Sequence, residues 1–308
     1  MPQQLIAREL QEEPPAPAMA MAGALAAHGG PNVAAILFYG SNLRSGSVEG
    51  VLDFYVLVDR LVDWHQSRPL ALATRILPPT VEYWELPWQG HILRAKVAII
   101  RTDQFIRAMR PGSLDTTLWA RFAQPVMLPH ARDAMARQMV TDTLAAAVTT
   151  AARWAALLGP ETASAPAYWE TLFRATYGAE LRVEKGERGA SLVSHAEARY
   201  RALLLPGWKA AGIAEGPSDG DLLRPILTGQ QRAAGRFGWG LRRRLGKVLN
   251  LARLSKAAFT FKDGVDYILW KIERHSGVRV ELTPWQRRHP ILSAPFILSR
   301  LRRQGAVR

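Results

Sequence analysis

The chain has 308 residues, enough for two or three domains, and no cysteine, which excludes disulfides and cysteine-held zinc. Its formal net charge of +14 is confined to one end: residues 230–308 carry 18 Lys and Arg against 4 Asp and Glu, while the rest of the chain balances. No run of about 18 consecutive apolar residues occurs, which argues against a spanning helix, and the seven histidines show no metal-ligand spacing.

In chain order, residues 1–30 are rich in Ala and Pro. Glu9, Glu12 and Glu13 precede their apolar part, where a signal peptide would place positive charge. The segment reads as a flexible N-terminal arm that ends in a short helix. Residues 33–39 are an apolar run, a helix end or a buried strand, that leads into Gly40-Ser41. Residues 51–58 are a near-continuous apolar strand, as expected when both faces are covered. Pro78-Pro79 marks a loop. Residues 80–86 and 92–101 then pair around 87–91, and Val97, Ile99 and Ile100 suit a central strand. Thr102-Asp103 looks like the N-cap of a helix over 104–109, stopped by Pro111-Gly112.

From Leu114 the character turns helical. Residues 131–158 form one long Ala-rich helix or two abutting ones, ended by Gly159-Pro160. Further helices are expected over 168–177 and 195–205, with a polar turn at 184–189 between them. Residues 206–221 read as a linker. In residues 241–257 a helix would place Leu241, Leu245, Val248, Leu249 and Ala252 on one face, with Arg242, Arg243, Arg244, Lys247 and Arg253 mostly off it. A second helix over 263–274 and an apolar-then-basic tail follow. Trp239, Phe259, Phe261, Trp270 and Trp285 are interleaved with the charge. Such a basic amphipathic region suits a polyanionic partner, either a membrane surface or a nucleic acid.

The expected fold class is therefore α+β. A mixed-sheet domain over 31–112 follows the arm, then a helical domain over 113–220, then a basic C-terminal region over 221–308.

Chemistry concentrates in residues 38–65. A glycine lets the backbone approach a bulky anion. Free N–H groups in such a turn, beside a hydroxyl, suit a triphosphate. Tyr39, Gly40, Ser41 and Asn42 are thus the candidate nucleotide-binding residues. Asp53, near the start of the next strand, is the candidate Mg²⁺ ligand. The spacing Gly-Ser, loop, Asp on a strand looks like the nucleotidyltransferase signature. That pattern wants a second acid two residues on, and Tyr55 stands there. Asp59 lies about 20 Å farther along the strand at roughly 3.3 Å per residue. Glu82 or Glu85, on an adjacent strand, could supply the second metal ligand, and their alternation with Val81, Tyr83 and Trp84 does not say which faces the site. His65 reads as structural, and Trp119 and Trp154 as core.

Tyr39-Gly40-Ser41, Leu52-Asp53-Phe54, Val58-Asp59 and Trp64-His65 together resemble the mitochondrial-type phosphatidate cytidylyltransferases. These are peripheral CDP-diacylglycerol synthases, also described as mitochondrial translocator assembly and maintenance proteins. Residues 96–102, 118–126 and 176–183 add to the resemblance, which covers roughly residues 30–205. The chain departs from the family at Asn42, Gln124 and Glu180. The resemblance implies a nucleotidyltransferase-like domain and an Mg²⁺-dependent reaction of CTP with phosphatidic acid, giving CDP-diacylglycerol and pyrophosphate. It matches Lys96 and Arg121 to family positions, and with Asp53 they are the catalytic candidates. It also implies an anionic membrane surface as partner, met by Arg242, Arg243, Arg244, Lys247 and Arg253, and no nucleic acid. The location would be the cytoplasmic face of a bacterial inner membrane, or the matrix side of a mitochondrial one. Two other readings stand beside it: a nucleotidyltransferase acting on nucleic acid or a small molecule, and a non-catalytic lipid-binding scaffold.

Overall fold

The computed structural model describes residues 1–45, 50–179, 192–260 and 283 of the chain. It is a mixed α+β molecule. Five strands form one sheet: β1 (Val33–Tyr39), β2 (Val51–Val58), β3 (Thr80–Trp88), β4 (His91–Arg101) and β5 (Met127–Ala131), in the order β3-β4-β2-β1-β5. The pair β2–β4 is parallel and every other pair is antiparallel.

The apolar runs expected at 33–39 and 51–58 are both strands. Both are buried because the sheet is covered on its two faces. One face carries Ala35, Leu37, Tyr55, Leu57, Ala98 and Ile100, and the other carries Ile36, Phe38, Phe54, Val56, Val97 and Ile99. The period of two along each strand sends alternate residues to opposite cores. The hairpin of β3 and β4 turns on Gln89-Gly90, both at positive φ (+48° and +78°). That is the conformation of the tight turns that match strand twist. Pro87 is tolerated because β3 is an edge strand.

Helices α1 (Pro2–Glu9) and α2 (Ala16–Gly29) occupy the segment expected to be a flexible arm. This corrects the sequence reading. Ile6 and Leu10 enter the core on one face of the sheet, and Met21 and Leu25 enter the core on the other. Arg137 donates to the Leu10 carbonyl (3.1 Å), and Arg199 pairs with Glu9 (2.8 Å). In α2 the Ala-rich composition hid this. Small residues give a weak amphipathic signal, yet they let helices pack closely.

Short helices α3 (Ser41–Ser45), α4 (Leu61–His65), α5 (Arg68–Ile76), α6 (Thr102–Ala108) and α7 (Thr116–Phe122) connect the strands. The long helix α8 (Ala134–Leu158) starts later than expected, because residues 127–131 are spent on β5. Asp133 caps α8, its carboxylate accepting from the Ala136 amide at 2.7 Å. Helix α9 (Ala165–Ala179) and helix α10 (Glu197–Ala210) follow. Helix α10 runs through Pro206 into the expected linker, of which Glu215-Gly216 pair as a small strand with Arg224-Pro225. The last described helix, α11 (Gly229–Thr260), is 32 residues long. One core runs from Ile6 through α8 to Trp239 and crosses the boundaries expected at 112 and 220. Among the described residues no helix is long and apolar enough to cross a membrane.

Candidate nucleotide site

Register builds the site. Tyr39 on β1 lies opposite Asp53 on β2; Asp53 lies opposite Lys96 on β4; Lys96 lies opposite Tyr83 on β3. Paired residues project to the same face, so four polar side chains form one row across four strands. Farther along that face the row gives way to the apolar Leu37, Tyr55 and Ala98. Asp53 and Lys96 are half-buried.

Gly40 closes one end of the row. Its φ is +102°, and a Cβ there would stand 2.6 Å from Asp53 Oδ2. Both the backbone conformation and the space therefore demand glycine. Gly40 and Asp53 thus make a close contact across the β1–β2 pair. Ser41 follows at once, and its hydroxyl donates to Asn42 Oδ1 at 3.3 Å. Asn42 Nδ2 is enclosed and has no hydrogen-bond partner among the described residues. The glycine-bearing loop expected at 46–49 lies outside the described residues.

Arg121 reaches the row from the last turn of α7. Its guanidinium donates to the Tyr39 hydroxyl at 3.0 Å and stands 5.1 Å from that ring's centroid. Burial pushes the Tyr39 phenol far above its ordinary value; Arg121 opposes the shift and the Asp53 charge adds to it. Tyr39 therefore stays a neutral phenol at any physiological pH. The structure brings together Tyr39, Gly40, Asp53, Lys96 and Arg121, with Ser41 and Asn42 beside them.

It does not bring Glu82 to them. Glu82 is on the opposite face, which corrects its candidacy as a metal ligand. Its carboxylate accepts from Trp64 Nε1 (3.3 Å) and Trp84 Nε1 (3.1 Å), and His65 Nδ1 stands 3.3 Å away. Burial alone would raise the Glu82 carboxyl. The bonds from His65, Trp84 and Trp64 outweigh it and hold the carboxyl below its ordinary range. Glu85 does share the Asp53 face, but it lies one row farther out. It accepts from Arg94 (3.1 Å) and from the Tyr83 hydroxyl (2.8 Å). Its carboxylate is bonded to those donors rather than joined to the Asp53 row. Among the described residues no cluster of three or more His, Asp or Glu could hold a metal. Asp53 alone still fits Mg²⁺, which is commonly held through one or two carboxylates together with substrate phosphates.

His65 Nε2 meets Thr74 Oγ1 at 3.0 Å, and Trp119 and Trp154 are in the core. Asp59 pairs with Arg132 at 2.6 Å. Tyr83 and Arg94 were missed. The only sequence signal for them was strand alternation, which needs the hairpin register to be read.

The basic helix divides into two faces. Arg242 is buried, and its guanidinium donates to the carbonyls of Ser113 (2.9 Å), Pro111 (3.1 Å) and Gly238 (3.1 Å). Arg253 donates to the Pro78 carbonyl (2.9 Å) and pairs with Asp115, the N-cap of α7. These two hold α11 to the body of the molecule, which corrects their assignment as membrane contacts. Arg243, Arg244 and Lys247 are exposed, beside exposed Phe237, Leu241, Val248 and Leu251. The second basic helix and the tail lie outside the described residues, as does the second half of the 176–183 motif.

The chain matches no family model, and no curated protein matches it.

Proposed function

We propose that this chain is an Mg²⁺-dependent nucleotidyltransferase that makes CDP-diacylglycerol and pyrophosphate from CTP and phosphatidate. The observation that carries the reading is the row Tyr39–Asp53–Lys96 closed by Gly40 and joined by Arg121. A glycine-serine turn after one strand, and an acid on the antiparallel neighbour, support a nucleotidyltransferase-like domain. Cytosine and the lipid acceptor come from the resemblance to the mitochondrial-type cytidylyltransferases.

In this reading Gly40 and Ser41 bind the β- and γ-phosphates. Asp53 and the nucleotide's phosphates would hold Mg²⁺, which supplies charge neutralisation at the α-phosphorus. The lipid phosphate oxygen forms the new P–O bond in line, and the bond to pyrophosphate breaks. The attacking group is already an anion, so no strong base is needed. The obstacle is bringing two anions together, and Lys96 and Arg121 lower it by their charge. Tyr39, kept neutral, orients Arg121. The exposed Arg243, Arg244 and Lys247, with the apolar residues beside them, would dock the protein peripherally on an anionic bilayer. That bilayer would be a bacterial inner membrane at its cytoplasmic face, or a mitochondrial one at its matrix face.

The test is turnover with phosphatidate vesicles, Mg²⁺ and each nucleoside triphosphate in turn. CDP-diacylglycerol formed with CTP alone, and lost by orders of magnitude in Asp53→Asn with folding intact, supports the reading. One observation favours a second reading, a lipid-binding scaffold: among the described residues no group of three or more His, Asp or Glu could hold a metal. Vesicle binding without pyrophosphate from any nucleotide would establish that reading instead.

A further inference from the structure

A half-open cavity of about 520 Å³ lies between the C-terminal half of α8, the segment after α10 and the first turns of α11. None of its lining residues belongs to the row around Asp53. Its walls are apolar at Trp154, Leu157, Ile213 and Leu227, and two guanidinium groups, Arg153 and Arg242, line it as well. Neither arginine has a carboxylate partner among the described residues. Arg242 is 7% exposed and is bonded only to neutral carbonyls. Three of its five N–H groups are used in those bonds, which leaves two. Its guanidinium also stands 4.4 Å from the Trp154 ring centroid, and that of Arg153 stands 5.9 Å from the same ring. The indole N–H of Trp154 is buried without an acceptor.

Two like charges over one indole, one of them buried, are an unusual expense in a folded protein. Buried charges are as a rule paired. Burial depresses the Arg242 guanidinium, and the charge of Arg153 adds to this. An anion would relieve both effects. A carboxylate brings one negative charge. A phosphate monoester brings about 1.5 to 2 at neutral pH and offers three acceptor oxygens to guanidinium forks.

We propose that this cavity is a binding site for a phosphate monoester that carries a compact apolar group. Arg153 and Arg242 meet the phosphate, and the Trp154, Leu157 and Ile213 wall meets the apolar group. The site is separate from the proposed nucleotide site and does not depend on the catalytic reading. The phosphate could come from a soluble ester or from a lipid head group.

The experiment is calorimetric titration of the full chain, without nucleotide or Mg²⁺, using hexyl phosphate and inorganic phosphate as probes. Arg153→Gln is the diagnostic variant, because Arg153 makes no hydrogen bond among the described residues; Arg242→Gln would also unmoor α11. Charge-assisted hydrogen bonds contribute about 1.5–3 kcal/mol, so Arg153→Gln should weaken hexyl phosphate at least about tenfold. Asp53→Asn should leave that affinity unchanged. Inorganic phosphate should bind more weakly than hexyl phosphate. Ala234→Phe, at an exposed lining position, should abolish that preference. No binding of hexyl phosphate, equal binding by Arg153→Gln, or equal binding of the two probes would overturn the proposal. Phosphatidate vesicles distinguish the sources. Arg153-dependent vesicle affinity assigns the site to a lipid head group, and Arg153-independent affinity assigns it to a soluble ester.

Discussion

At Gly40 one atom decides the site. The left-handed backbone would cost a side chain about 1–2 kcal/mol, and a Cβ would press on Asp53 Oδ2. Gly40→Ala should therefore lower the melting temperature modestly and displace the Asp53 carboxylate, so that turnover falls far more than stability. Turnover and thermal unfolding measured on the same preparation separate the two effects. Glu82 is the opposite case, a carboxylate used wholly for structure. Its folded value lies below its ordinary 4.5, so its contribution is present above that pH and is lost as pH falls through the folded value. Glu82→Gln should destabilise the protein at pH 7, by about 1.5–3 kcal/mol for a lost charged acceptor. It should also flatten the loss of stability below about pH 4.5. Chemical denaturation across pH 3–7 reads both. Asp53 and Gly40 could be found in the sequence because their spacing is local. Glu82 could not be told from Glu85, because facing depends on a register set by residues on two other strands.

At the scale of the element, α11 is the least expected part. The sequence showed an amphipathic basic helix but not which face was anchored. Leu245, Leu249 and Ala252 lie on the less exposed side as expected, yet Leu241 and Val248 face out and Arg242 faces in. Polar anchors of this kind look like solvated charge in a sequence. Lys256 is a third anchor: its ammonium donates to the Pro79 carbonyl at 2.7 Å and to Thr80 Oγ1 at 3.1 Å, and it also bonds the Leu77 carbonyl. Burial lowers it to about 8, and the neighbouring Arg253 charge adds to the shift. The folded chain thus releases this proton before the unfolded chain does. Between about pH 8 and 10.5 the unfolded state binds more protons, and stability rises with pH. Lys256→Met should remove that rise, read as unfolding midpoints at pH 8, 9 and 10. The strands were legible because uninterrupted apolar runs bounded by Gly and Pro have few alternatives. Strand β5, helix α1 and the full length of α2 were not, because a five-residue strand and an eight-residue helix are short and the Ala-rich α2 carries little periodic signal.

Over the described residues charge stands mostly outside the core, with buried Arg242 the exception. The core runs through the helices and both faces of the sheet, and the exposed basic residues of α11 stand on its outside beside Phe237, Leu241, Val248 and Leu251. Each such cation near an anionic bilayer contributes about 1 kcal/mol. Arg243→Glu with Lys247→Glu should therefore weaken binding to anionic vesicles by more than tenfold without changing the melting temperature. Wild-type binding should fall as salt rises from 0.05 to 0.5 M because the charges are screened. Binding indifferent to both would remove the surface role of this face.

Helix α11 is about 48 Å of stiff rod at 1.5 Å per residue. Near its middle its inner side grips the 111–113 segment through Arg242; toward its C-terminal end it grips residues 77–80, which lead into β3 and so toward Tyr83. Whatever seizes the outer side holds a lever whose fulcrum is the sheet. Amide hydrogens of residues 77–83 should then exchange with deuterium more slowly when vesicles are present, although no lipid touches them. The same slowing should vanish in the double variant Arg253→Gln, Lys256→Met, where both grips on that pivot are cut.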